Sequence, residues 1–447
     1  MNPAGPPTAP AEAAQAADAS SASPSTRALS RGTSIMVVLT LVASAANYAS
    51  NIVFSHLLST AEYGELTALI AITVIAAVPT GAAQTVVAER VAALRARGED
   101  DRLRYLLRYA VAHVVAIAVV VAVVYVACIP LVKSALGLRA IGPAEALAPL
   151  LVLSLFVPVA SGVLQGLERF AFLGAFALAI ACSRIAFGVP WTLAGGGAGG
   201  PLFGQALGTL VALVGTAWIL RKYFAPRGTG AANAGLRRRP SRRTLAAGTA
   251  FTAFALISNL DVVLAKLLMS PHDAGVYAAL VTVEKIIIFL PSAIAVVMVP
   301  SAAKARLSDQ STARVLRLSA MLVSAATVCV ALPAALAPHL VLTVMFGQKY
   351  VSAAPGILPI VCAGAGLALL YLLVVYTVTI QDTRWAWLLA GGVACQAGAI
   401  LALHSSPVQV ATVQAGVVIF VLVVNEILFH PILRGERLFA RLSSSAR

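Results

Sequence analysis

Five ionisable side chains stand inside long apolar stretches of this 447-residue chain: Arg184, Asp261, Lys266, Glu284 and Lys285. A charge at the centre of a membrane-crossing helix costs about 2.5–3.5 kcal/mol on insertion scales, so such residues face a cavity or a partner rather than lipid. Their types suit binding and coupling, not bond making. Arginine and lysine in a low-dielectric cavity hold anions such as phosphates. Aspartate and glutamate take up a proton or a sodium ion and so favour one conformation over another. Arg184, Lys285 and Lys266 are therefore candidate substrate-binding cations, and Asp261 and Glu284 are candidate coupling or gating carboxylates. Three amides are candidates for lining the same cavity: Gln84, and Asn47 and Asn51, which are four residues apart and share a helix face. The competing structural reading is that the charges only pair with one another and the amides only bond helix to helix. Lys266 sits near a helix end and has the further option of snorkelling to the surface. No nucleophile beside a base and no convergent acid–base set is visible, so no catalytic residue and no enzymatic role are expected.

The elements that carry these residues are helices that cross a bilayer. Some 60% of the chain is apolar and only 11% charged, against about 45–50% and about 25% in soluble domains. A span needs about 20 mostly apolar residues. On that scale twelve segments qualify: 33–58, 62–88, 107–132, 144–166, 170–192, 201–220, 246–269, 275–299, 315–337, 355–379, 385–403 and 407–430. The net charge of +15 does not indicate nucleic acid, because the basic residues sit in short blocks between the spans. Those blocks set orientation. Of 32 Lys and Arg, 26 fall in the two tails, the loops after even-numbered spans and the first turns of the spans that follow those loops, and three in the loops after odd-numbered spans. Basic loops stay cytoplasmic, so both termini are expected inside, in a multi-pass protein of a cytoplasmic membrane. The alanine-rich, basic composition is consistent with a bacterium of high genomic GC content.

Depth follows from the rise of a helix. At 1.5 Å per residue, Arg184 and Asp261 lie roughly 12 Å, and Glu284 and Lys285 roughly 14 Å, inside their helices. Spans seven and eight are joined by a short turn, so an ion pair between Asp261 and Lys285 is expected. The domain plan is a disordered cytoplasmic tail (1–31), a six-helix lobe (32–220), a basic cytoplasmic linker (221–245), a second six-helix lobe (246–430) and a cytoplasmic tail (431–447). The five cysteines lie singly in apolar runs and read as small buried hydrophobes, with no disulfide or metal pattern. Gly162-x-x-x-Gly166 and Gly204-x-x-x-Gly208 read as sites of close helix contact.

An internal repeat relates the two lobes. Gly64, Ala68 and Leu69 map forward by 211 positions onto Gly275, Ala279 and Leu280, and Pro79 matches Pro291 with one further residue inserted. Both copies run in the same direction, so the repeat is parallel, about an axis along the membrane normal. The fold class is an all-α polytopic membrane protein of about twelve helices, in two pseudo-symmetric six-helix bundles around a central cavity.

Two stretches carry a family resemblance. One runs from Asn51 to Leu66, through the turn before Gly64, and on to Pro79. The other runs from Asn259 to Ala279 and continues through Glu284-Lys285, Leu290-Pro291 and Pro300. A weaker echo is Gly166-Leu-Glu-Arg-Phe170. Both stretches resemble the Wzx-like polysaccharide-export branch of the multidrug/oligosaccharidyl-lipid/polysaccharide (MOP) exporter superfamily. The resemblance implies an alternating-access flippase for a polyprenyl-diphosphate-linked saccharide, or a relative exporting a polysaccharide precursor or other amphiphile. Its expected partners are membrane lipids and the lipid-linked substrate, with functional association with glycosyltransferases or a polymerase, and no nucleic acid.

Two other readings compete. Proton- or sodium-coupled efflux of cationic drugs would favour a cavity dominated by carboxylates, whereas the five buried charges sum to +1. A membrane polysaccharide polymerase or ligase would need a sizeable outer loop, and the longest outer segment, 338–354, offers only His339, Lys349 and Tyr350. Gly195–Gly200 is not followed by Lys-Ser/Thr and is no phosphate loop. Without a nucleotide-binding signature, pumping must draw on an ion gradient or the membrane potential. No cofactor is expected beyond a coupling H+ or Na+.

Overall fold

The computed structural model describes residues 24–224, 242–288, 312–380 and 385–429. The helices are α1 (Pro24–Leu57), α2 (Thr60–Ala96), α3 (Asp100–Ala135), α4 (Gly142–Ser154 and Val157–Gly166), α5 (Phe170–Ala186) and α6 (Gly199–Ile219). They continue with α7 (Arg242–Ile257 and Leu260–Leu268), α8 (271–288), α9 (Thr312–Leu336), α10 (Ile357–Ile380), α11 (Trp385–Ala402) and α12 (Pro407–Phe429). Eleven segments among the described residues are long and apolar enough to cross a membrane. The twelfth expected span, 275–299, is α8, of which only the part to residue 288 is described. Pro291, Pro300 and most of the basic linker and both tails lie outside the described residues. The protein is thus an all-helical, multi-pass integral membrane protein.

Pairing repeats every six helices. In the first half α1 packs on α5, α3 on α4, and α6 on both α4 and α5; in the second, α7 packs on α11, α9 on α10, and α12 on both α10 and α11. The caps repeat as well. Ser59 and Glu62 form a capping box at the start of α2, with Glu62 N donating to Ser59 Oγ at 3.3 Å and Ser59 N donating to Glu62 Oε2 at 2.9 Å. At the start of α8, 211 residues on, Asp273 N donates to Ser270 Oγ at 3.2 Å, whose hydroxyl donates to Asp273 Oδ2 at 2.7 Å.

The halves meet where the repeat is strongest. A Cβ added at Gly64 would lie 2.8 Å from the Gly275 nitrogen, and one at Gly275 would overlap the Thr60 carbonyl. Glycine is required at both positions because two backbones cross in contact there. Residues that correspond in the repeat touch each other only near the pseudo-symmetry axis, so this crossing marks the axis. It lies at the end of the molecule carrying the turns after α1 and α7, here called the charge-poor end; the opposite end carries most of the Lys and Arg among the described residues. The expected close contacts at the other glycine pairs also form: Gly162 and Gly166 admit the α2 backbone at Gln84 and Ala88, and Gly204 and Gly208 meet Gly188 and Ser183.

Two helices are interrupted. In α4 the chain bends at Leu155–Phe156, ahead of Pro158. In α7 it breaks at Ser258–Asn259, where Asn259 Nδ2 donates to the Ala255 carbonyl at 2.9 Å. The second break exposes main-chain carbonyls inside the bundle, and polar side chains from other helices take them up.

Candidate functional site

In the first half, Arg184 of α5 is buried and reaches across to α1. Its Nη1 donates to Asn47 Oδ1 at 2.7 Å and its Nη2 to Asn51 Oδ1 at 3.0 Å. The i, i+4 spacing of the two amides matches the fork of the guanidinium. Its Nε is buried without a hydrogen-bond partner, and no carboxylate lies within 4.0 Å among the described residues. Two neutral amides orient the cation without neutralising it. The group borders a cavity of about 230 Å³ that is lined also by Thr40, Ser44, Tyr48 and Gln205. Such a cavity, with fixed dipoles around one uncompensated positive charge, selects for an anion.

The second half holds the two candidate coupling acids. Asp261, in the first turn past the α7 break, is fully buried and accepts a 2.6 Å hydrogen bond from Tyr277 Oη on Oδ2, while Oδ1 has no partner. Glu284 on α8 is fully buried, and neither of its carboxylate oxygens has a hydrogen-bond partner. The expected Asp261–Lys285 ion pair is not formed. Lys285 instead donates to the Ser258 carbonyl freed by the break in α7. A lysine ammonium at the open carbonyl end of a half-helix also complements its dipole, which explains why the break captures it. Gln396 of α11 and Gln414 of α12 both donate to the Ile257 carbonyl, at 2.8 and 3.0 Å, and bond to each other. Tyr277, Ser258, Gln396 and Gln414 were not expected from the sequence, although two glutamines in otherwise apolar helices were a signal.

Lys266 does not snorkel. It is buried and faces Glu65 of α2 across the two halves, Nζ to Oε1 at 3.8 Å. Glu65 also accepts from the Arg139 main-chain N–H at 3.1 Å. Further bonds join the halves at this end: Tyr63 with Thr282 at 2.7 Å, Lys349 Nζ to the Leu58 carbonyl at 2.6 Å, and His56 with the Met345 carbonyl at 3.1 Å. The segment 338–354 forms a short helix, Pro338–Phe346, and a 3-10 turn whose buried Tyr350 meets Tyr63 edge to face. The charge-poor end is therefore closed by a lattice of contacts between the halves. Gln84 joins none of these groups; its Nε2 donates to Gln165 Oε1 at 3.4 Å in an exposed setting.

The fold has solved relatives. An inward-facing multidrug resistance MATE family transporter of the MOP superfamily superposes with a TM-score of 0.65 at 15% identity, over 93% of this chain and 98% of that one. The outward-facing conformation of a transporter so described gives 0.59 at 15% identity, over 93% and 96%. A MOP superfamily transporter from Pyrococcus furiosus, described as having a binding pocket of reverse polarity, gives 0.59 at 17% identity, over 94% and 96%. No curated protein matches the chain. The fold is thus one shared with membrane transporters described as belonging to the MOP superfamily. The family described as polysaccharide biosynthesis protein matches residues 29–306, well over half the sequence, and the chain belongs to that family.

Proposed function

We propose that this transporter flips a lipid-linked oligosaccharide, carried on a polyprenyl diphosphate, from the cytoplasmic to the outer leaflet by alternating access. The observation that carries this reading is the uncompensated cation of Arg184, held by Asn47 and Asn51 at the edge of a polar cavity. A diphosphate bridging lipid and sugar is the anion such a site suits. Membership of the polysaccharide biosynthesis protein family supports the same substrate class. The basic end faces the cytoplasm of a bacterial cell in this reading, following the bias of Lys and Arg. Glycosyltransferases or a polymerase would then supply and consume the cargo.

Coupling falls to the second half. A carboxylate buried without donors is stabilised by a proton or cation placed on it, and Glu284 and Asp261 offer three such oxygens. Loading them in one conformation and not the other drives the cycle. Deleting the gene should trap lipid-linked sugar on the inner leaflet, and plasmid-borne wild type should release it. Wild-type levels of outer-leaflet sugar in the deletion strain would reject the proposal. A second reading, efflux of cationic drugs, is favoured by these same acids and by the solved relatives described as multidrug transporters. It predicts drug sensitivity in the deletion strain with lipid-linked sugar undisturbed.

A further inference from the structure

The first half contains a second cavity that the transport reading does not use. The early segment of α4 packs on α6, but beyond the bend at Leu155–Phe156 the later segment turns onto α2. An apolar crevice of about 360 Å³ is left between α3, α4 and α6, lined by Leu107, Val114, Phe156, Val163, Val214 and Leu220 among others. The hydroxyl of Thr216, in the wall, is already donated to the Ala212 carbonyl at 2.9 Å. The walls therefore ask for hydrocarbon. From Leu107 to Val114 the crevice runs roughly 10 Å along α3.

Its mouth is at the basic end. Arg108 on α3 lies three positions before Val111, a wall residue, and is exposed. Arg221 follows Leu220 directly and lies over the Trp218 ring at 5.0 Å; Lys222 lies over the Tyr223 ring at 5.0 Å. Two acids at this end pair with arginines of their own helix turn, Glu99 with Arg102 at 2.7 Å and Asp101 with Arg104 at 3.1 Å. Tyr105, Tyr109, Trp218 and Tyr223 gather at the same end, as aromatic residues do at a membrane–water interface.

We propose that this crevice is a binding site for an anionic phospholipid of the surrounding leaflet, with one acyl chain between α3, α4 and α6 and the phosphate headgroup on Arg221, Lys222 and Arg108. Basic groups over an apolar cleft between spanning helices make this kind of headgroup site. The occupant is a bilayer lipid rather than the transported one, because the crevice shares no lining residue with the Arg184 cavity.

The test is native mass spectrometry of the full-length protein in neutral detergent, titrated with phosphatidylglycerol and with phosphatidylcholine of identical chains. Phosphatidylglycerol should bind more tightly. R221Q and K222Q should each weaken it about fivefold while leaving phosphatidylcholine unchanged. Val214→Trp, which fills the crevice, should reduce both. Lys133→Gln, at the opposite end of α3, controls for charge alone and should change neither. Equal binding of the two lipids, or R221Q/K222Q protein that keeps its preference, would overturn the site. So would undecaprenyl phosphate displacing phosphatidylglycerol at equal concentration. The comparison of the two phospholipids does not depend on which substrate is flipped.

Discussion

At the scale of single residues, the two halves do opposite things with charge. Arg184 is a cation held by neutral amides, and Glu284 is a fully buried acid with no ion-pair partner within 4.0 Å among the described residues. Arg184→Lys retains the charge but loses the two-pronged grip on Asn47 and Asn51. It should lower transport yet keep partial activity, where Arg184→Ala abolishes it at equal protein level; quantitative export assays with immunoblotting would check this. Glu284→Gln keeps shape and removes the titratable group. It should leave substrate binding intact while removing the dependence of transport on the ion gradient, measured as uptake with and without a proton or sodium gradient. Unchanged gradient dependence would place coupling elsewhere. The sequence made Arg184, Asn47 and Asn51 visible singly, and the four-residue spacing made the amides visible as a pair. What it did not contain was azimuth. Depth along a helix places Asp261 and Lys285 at one level, but only the break in α7 decides that Lys285 turns to the Ser258 carbonyl instead.

At the scale of elements, interruption of helices is what gives the polar groups somewhere to go. The break at Ser258–Asn259 lies within an apolar run and carries no proline, so nothing in the local pattern separates it from a continuous span. The carbonyls it frees draw Gln396, Gln414 and Lys285 inward. Gln396→Leu removes one donor and should lower the melting temperature, because a buried carbonyl partner lost costs about 1–3 kcal/mol. Fluorescence-monitored unfolding in detergent would register it, and an unchanged midpoint would mean that Gln414 alone suffices. By contrast, the span count and the glycine contacts were legible, because apolar length and small-residue spacing are direct properties of the sequence. Glu65 was missed for an equally local reason. An acid in the first turns of a helix reads as a dipole complement at the surface, and its burial depends on the other half of the molecule.

At the scale of the whole molecule, the repeat closes the charge-poor end upon itself. Gly64 against Gly275, Glu65 against Lys266 and Tyr63 against Thr282 all join α2 to the α7–α8 hairpin. Opening that end must part these contacts. Lys266→Met leaves Glu65 buried without its counter-charge, a loss of about 3–5 kcal/mol for the closed form, whereas pairing it with Glu65→Gln restores most of it. Gly275→Ala should act similarly by forcing the backbones apart. Spin labels at Leu57→Cys and His272→Cys, in a background lacking the native cysteines, should report a longer distance for Lys266→Met and for Gly275→Ala than for the parent. They should report a near-parental distance for the double exchange. If all variants gave one distance, the contacts would not be what holds this end shut.

The most direct test of the account is flipping of a fluorescent polyprenyl-diphosphate saccharide in proteoliposomes containing either the wild-type chain or Arg184→Ala. The account predicts time-dependent exposure of the label to an impermeant quencher with the wild type, and a rate equal to protein-free vesicles with the variant. Equal rates for the two proteins, both above the protein-free level, would contradict it.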